Sequence, residues 1–383
     1  MQVYFDNAST TKIHPKVLEA MLPYLKENYG NASSIHSLGR KARVAVEDTR
    51  ELIADFIGAI PSEIYFTSGG TEAINFILNG IAKTNFTETG NSEILTTQIE
   101  HKAVLDTCKH LSQTGFSHKF VEVNNDGSFN SDSLKTNITT GTSLVSIMHT
   151  NNELGTINDV QAISSQLVTN QYLFSDLVQA FGKVKIDVND LKVNAISASA
   201  HKIYGPKGIG IAYVKSGTPL SSFVFGGSQE RNRRGGTENI AAIVGLAQAV
   251  KIAKVSMIDN HNHVLKIKQQ FLTGINNIFG SKIEINGGLN SSPYILSLTF
   301  KSEYFKNDID TLLMSLDING IFASQGSACT SGTIKPSHVI LGIGKNTEDA
   351  NGTLRFSFSP ENTIAEVDYV LSVLEKIGKH NLY

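Results

Sequence analysis

Short apolar runs alternate with stretches of helical period from about residue 35 to about residue 255. Ala42, Ala45, Val46, Thr49, Leu52, Ile53, Phe56 and Ile57 recur at helix spacing, and Gly58 supplies a stop. Strand-like runs follow: IYF at 64–66, EILTT at 93–97, LVSIM at 144–148, YLF at 172–174, AIS at 195–197 and IGIAYV at 209–214. Several lack polar alternation, as strands covered on both faces of a mainly parallel sheet do. The pattern predicts an α/β fold with a central, mainly parallel sheet covered by helices. Polar and glycine-rich residues come just after these runs, where open α/β sheets bind ligands.

Around 255–285 the pattern changes to a long helix rich in Lys, Gln and Asn. A strand at 294–300, a helix at about 307–318, a glycine-containing loop, a strand at 353–359 and a closing helix from about 362 complete the chain. Residues 15–255 read as a large domain. Residues 256–383 read as a smaller α+β C-terminal domain, joined by the N-terminal segment 1–14. No internal repeat or low-complexity run occurs.

Composition narrows the class. Lys+Arg of 33 against Asp+Glu of 35 argues against a general nucleic-acid or membrane-surface binder. The 32 glycines and 8 prolines suit an α/β enzyme with many tight strand-to-helix turns. Two cysteines, Cys108 and Cys329, make neither a disulfide framework nor a four-thiolate zinc site, so a reducing compartment is expected. The start, MQVYFDNASTT, lacks a secretory signal. The apolar stretch from Ile240 is interrupted by Gln248 and ends at Lys251, short of the roughly 20 residues that span a bilayer. The expectation is a soluble cytoplasmic protein with neither membrane nor direct nucleic-acid binding. The 11 histidines are scattered and form no HExxH-like run, so no metal site is expected.

Four segments carry candidate chemistry. In SASAHKIYGPKG (197–208), Lys202 follows a strand and precedes a glycine-flanked turn, where a neutral amine can form a Schiff base with an aldehyde cofactor. Taken alone, a solvated surface lysine is the plainer reading. GPKGIG lacks both the P-loop order and the dinucleotide fingerprint. SGGTEAINF (68–76) opens a helix, so Gly70 and Thr71 can offer N–H groups and a hydroxyl to a phosphate, or serve an ordinary helix start. FSDLVQAFGK (174–183) puts Asp176 at a strand end, either to cap a loop or to pair with a protonated ring nitrogen, with Gln179 in reach of a phenolic oxygen. IEHKAVLDTC (99–108) puts His101 at a strand-to-helix junction, as a cap or as a proton carrier stacked on a planar cofactor.

Val104, Cys108 and Leu111 share a helix face, so Cys108 reads as a small buried hydrophobe. Cys329 sits among small polar residues in QGSACTSG (325–332), where no apolar period explains it and a thiolate nucleophile is the favoured reading. Arg355 lies on the apolar run TLRFS (353–357) and needs a carboxylate, from the protein or from a substrate. Arg231, Arg233 and Arg234 in QERNRRGGTEN (229–239) suit a solvated loop, a phosphate or another subunit.

Together these segments resemble the class V branch of fold-type-I pyridoxal-phosphate enzymes, and within it the NifS/IscS-like cysteine desulfurases. DNASTT (6–11), NASSIHSLGR (31–40), HTNNELG (149–155) and the segments above occur in that family's order, nearly end to end. The resemblance implies that Lys202 holds pyridoxal 5'-phosphate, Asp176 pairs with its ring nitrogen and His101 stacks on the ring and moves protons. It implies phosphate contacts from Gly70, Thr71, Ser199 and His201, and from Thr237 of a second subunit in a homodimer. Gln179 would bond the phenolic oxygen, Asn152 would lie beside cofactor and substrate, and Arg355 would hold the carboxylate of L-cysteine. Cys329 would take the sulfur as a persulfide, leaving L-alanine, and pass it to an iron–sulfur scaffold or a sulfur carrier. The SACTS context of Cys329 argues against a plain aminotransferase. Intact candidates at Lys202, Asp176, His101 and Cys329 argue against a silent scaffold. Two departures stand out: Gln325 replaces the usual small polar residue before the glycine of the cysteine loop, and the tail beyond the final helix is short for scaffold docking.

Overall fold

The computed structural model describes residues 1–288, 291–326 and 335–381. Its centre is a seven-stranded sheet. The spatial order runs Ile64–Thr67, Gly210–Val214, Ala195–Ser199, Tyr172–Asp176, Thr142–Ser146, Glu93–Thr97, Ser117–Val121. Only Gly210–Val214 runs against the others; every pairing beyond it is parallel. The mainly parallel sheet is thus as the sequence predicts. Most of its inner strands are buried along their whole length, which is why they lack alternation.

The helix with Gly58 as its stop is Ser37–Ile57, and Gly58 takes the left-handed φ of 73° that a C-cap needs. The edge strand Ser117–Val121 was not predicted, because its sequence SHKFV is largely exposed and carries no apolar run. The apolar run at 144–148 is strand only to Ser146; Ile147 and Met148 continue past the sheet edge towards the ligand side.

The apolar stretch from Ile240 and the polar helix expected at 255–285 form one helix, Ile240–Phe279. No Gly–Pro punctuation separates them. The sequence from Ile240 to Lys282 is therefore long and apolar enough to cross a membrane by length and composition, although the stretch ending at Lys251 alone is not, yet 56% of its most apolar window is buried inside the protein. Its first half packs in the core beneath the large sheet through Ile243, Leu246 and Val250. Its second half packs in a separate core through Val264, Ile267, Phe271 and Ile275. The helix stops at Gly280, and Ile283–Asn286, read as helix from the sequence, is a strand. It pairs antiparallel with Ile295–Phe300, which pairs antiparallel with Thr353–Ser357. The N-terminal Val3–Tyr4 pairs with Ile321–Phe322, and Asp6 bridges to Ser357, so the first residues lie against this smaller sheet.

Candidate active site

A cavity of about 320 Å³ opens at the C-terminal ends of the parallel strands, the place such sheets offer ligands. Gly70, Thr71, His101, Asn152, Asp176, Gln179, Ser199, His201, Lys202 and Arg355 all line it. Ten residues spread over 286 positions of sequence therefore meet on one space. Thr237 lies on an exposed stretch and is not among the lining residues. Cys329 lies outside the described residues.

Lys202 ends a single turn, Ala200–Lys202, that follows the strand Ala195–Ser199. Its Nζ donates to the carbonyls of Ala8 and Ser9, each at 2.6 Å. Burial, with the nearby Arg355 cation, lowers its pKa to about 8, so the amine gives up its proton more readily than a surface lysine. Asp176 closes the strand Tyr172–Asp176, and its Oδ1 accepts from Val178 N at 2.9 Å and Ser197 Oγ at 2.8 Å. That fixes the carboxylate while its second oxygen remains for a ligand.

The helix Gly70–Thr89 starts at the cavity, where its first-turn N–H groups have no intrahelical acceptors. A Cβ on Gly70 would come within 2.9 Å of Val178 Cγ2, so the absence of a side chain brings this helix end close to the floor. Ser199 and His201 flank it. Burial, then the cations of Lys202, Lys207 and Lys183, push the His201 imidazole down to about 4, leaving it neutral. His101 caps the helix Lys102–Ser112, its Nδ1 accepting from Ala103 N at 3.1 Å. Burial lowers its pKa, and the cap places the neutral ring's proton on Nε2.

Arg355 has the protein carboxylate its strand position called for. Its Nη2 donates to Asp6 Oδ1 at 2.9 Å and Ser9 Oγ at 2.7 Å, and its Nη1 to Asn152 O at 2.9 Å. Its Nε is buried without a partner among the described residues, and Nη1, with one bond to Asn152 O, keeps a second N–H for a substrate carboxylate. The other arginines are occupied elsewhere. Arg234 pairs with Glu72 at 2.7 Å, Arg231 lies over the Tyr65 ring, and Arg233 donates to Leu220 O. None lines the cavity. Cys108 is buried with its pKa pushed up to about 12 by desolvation, an inert core thiol as expected.

Sequence reasoning gave no role to Ala8 and Ser9, although both line the cavity and hold Lys202. They act through backbone carbonyls, which leave no mark in residue type. Met148 and Thr150 also line it, just past the strand Thr142–Ser146.

A lysine of lowered pKa and a helix start lining one cavity suit an enzyme of the class that tethers an aldehyde cofactor. The class-V aminotransferase family matches residues 3–370. The cysteine desulfurase IscS of Clostridium botulinum is 42% identical over 379 residues, covering 99% of this chain and 94% of its own. That of Dictyoglomus turgidum is 39% identical over 98% of this chain and 94% of its own. A solved NifS-like protein superposes with a TM-score of 0.91 at 38% identity, over 99% of this chain and 100% of that one. With such relatives end to end, the chain belongs to the class-V aminotransferase family and, within it, to the cysteine desulfurases.

Proposed function

We propose that this chain is a pyridoxal-phosphate-dependent cysteine desulfurase, taking sulfur from L-cysteine to leave L-alanine and a persulfide on Cys329. The observation that carries the reading is the meeting of Lys202, Asp176 and the Gly70 helix end on one cavity. These residues fit the cofactor: an amine of lowered pKa, a carboxylate with a free oxygen, and neutral and backbone donors for a phosphate. Bound there, pyridoxal phosphate supplies an electron sink that weakens bonds at the substrate's Cα and Cβ.

The chain's own residues do the rest. Lys202 would hold the cofactor's aldehyde through Nζ, and its lowered pKa suits the free amine to carry a proton at that nitrogen. Asp176 would keep the ring nitrogen protonated, and Gln179 would donate to the phenolic oxygen. Gly70, Thr71, Ser199 and His201 hold the phosphate, with Thr237 of a second copy reaching it in a homodimer. His101, which lines the cavity, would pack on the ring and presents Nε2–H for proton transfer. Arg355 and Asn152 orient the substrate, Arg355 binding its carboxylate. Cys329 thiolate attacks the substrate sulfur. A sulfur–sulfur bond forms and the Cβ–S bond breaks, with its electron pair staying on the carbon fragment, which takes a proton to become alanine. The persulfide then passes to an acceptor protein, an iron–sulfur scaffold or a sulfur carrier. A free thiolate of this kind suits the reducing cytoplasm.

The test is to incubate the holoenzyme with cysteine, alkylate, and map the modified thiol by mass spectrometry while measuring alanine. One extra sulfur on Cys329, matched by alanine, is expected. Cys329→Ala should retain the yellow cofactor band and lose sulfide release; undiminished sulfide production from that variant would sink the assignment.

A further inference from the structure

Lys183 is a buried lysine that the mechanism above does not use. It sits one turn after Gln179, and its Nζ donates to Gln179 Oε1 at 2.9 Å. Its other partner is the ring of Tyr294, 5.3 Å from Nζ. Neither partner is a carboxylate, so an ammonium group is kept out of water by one amide oxygen and one ring face. That is a costly arrangement unless the position does something.

We propose that Lys183 is a positioning residue, fixing the Gln179 amide so that its nitrogen rather than its oxygen meets the phenolic oxygen of the cofactor. This rests on the reading of Gln179 given above. A lysine ammonium has three donors and no acceptor, so it can only be satisfied by the amide's oxygen. With Oε1 turned to Lys183, Nε2 faces the other way and donates to Ala8 O at 2.9 Å. Its second proton is left for the cavity, which Gln179 lines. Ala8 O is also the acceptor of Lys202 Nζ, so one carbonyl ties the amide to the catalytic amine. Without Lys183 only the Ala8 carbonyl opposes a flip of the amide, and in the flipped amide an acceptor would face an anionic oxygen.

Burial, then the cations of Lys202 and Arg355, lower the Lys183 pKa to about 7. An anionic ligand in the cavity opposes those cations and favours the charged form, so the donor is strongest when the cofactor is bound.

The readout is the pH midpoint of the holoenzyme's visible absorption band. A donor on the phenolic oxygen stabilises its negative charge and so lowers the pKa of the neighbouring Lys202-linked nitrogen. Losing that donor should raise the midpoint by about one pH unit, given the usual strength of hydrogen bonds to charged groups. Gln179→Ala should show this rise, and Lys183→Met a similar one. Made together they should rise no further than either alone. Additive shifts would mean that Lys183 acts through its charge alone and would overturn the proposal, as would an unmoved midpoint in Lys183→Met. If Gln179→Ala itself leaves the midpoint unmoved, it is the reading of Gln179 that fails. Should Lys183→Met fail to fold, Lys183→Gln keeps an N–H donor without the charge. Its midpoint should rise less than that of Gln179→Ala, since only the charge is lost, and a rise as large as that of Gln179→Ala overturns positioning by the donor.

Discussion

A lysine amine can attack an aldehyde only when it carries a lone pair, so the reactivity of Lys202 is set by what surrounds its nitrogen. Burial is the larger influence and the Arg355 cation the next, both lowering its pKa; Asp6 and Asp176 pull the other way. The uptake of pyridoxal phosphate by the apoprotein, followed as growth of the yellow band, should therefore accelerate as pH rises through about 8. Replacing Arg355 by Met removes a cation and leaves Asp6 uncompensated, and both changes favour the protonated amine. The midpoint should move upward in Arg355→Met and stay near the parent in Arg355→Lys. A midpoint that stays put or falls in Arg355→Met would show that the salt bridge to Asp6 isolates Arg355 from the amine.

At the scale of elements, the reversed strand Gly210–Val214 does more than extend the sheet. Gly210 pairs with Thr67 on one side and Ser199 on the other, so it lies between the segment leading to the Gly70 helix and the strand leading to Lys202. A Cβ there would meet Ala198 O at 2.6 Å and Gly69 Cα at 2.7 Å, both backbone atoms with nowhere to go. Gly210→Ala should cost about 1–3 kcal/mol, the usual range for overpacking, and should weaken cofactor binding by parting the helix end from Ser199. Denaturant unfolding and a spectroscopic cofactor titration check the two effects; an unchanged cofactor affinity would detach Gly210 from the site. Elements of this kind show how much the chain discloses beforehand. Asp176, Lys202 and His101 were candidates because they follow apolar runs at the strands' ligand ends. Each alone had a plainer reading, and only the ordered set of segments and their family resemblance gave them roles. Gly210 read only as part of a run, since its tight neighbours come from residues 69 and 198. Ile283–Asn286 was misread as helix because its alternation is short and a long helix precedes it. Lys183, next to Gly182, has no role in the sequence reading, and only its burial singles it out.

The two largest of the four apolar cores among the described residues share one helix. Phe56 and Phe181 meet edge to face at 5.5 Å in the core beneath the large sheet. Phe271, in the second half of Ile240–Phe279, contacts Phe5, Phe356 and Phe358 at ring distances of 6.3, 4.9 and 5.9 Å. These partners matter for the site. Phe5 precedes Ala8 and Ser9, which hold Lys202, and Phe356 follows Arg355 on its strand. The second core thus carries two walls of the cavity, and an uninterrupted helix joins it to the first. Phe271→Ala leaves a large void and should destabilise the protein by about 3–5 kcal/mol. Phe181→Ala, its counterpart in the first core, should do likewise. Because the helix has no break between Ile240 and Phe279, each variant should shift one common unfolding transition in the apoprotein, followed by circular dichroism and tyrosine fluorescence together. Two transitions, each moved by only one of the substitutions, would show that the cores melt independently and that the shared helix does not couple them.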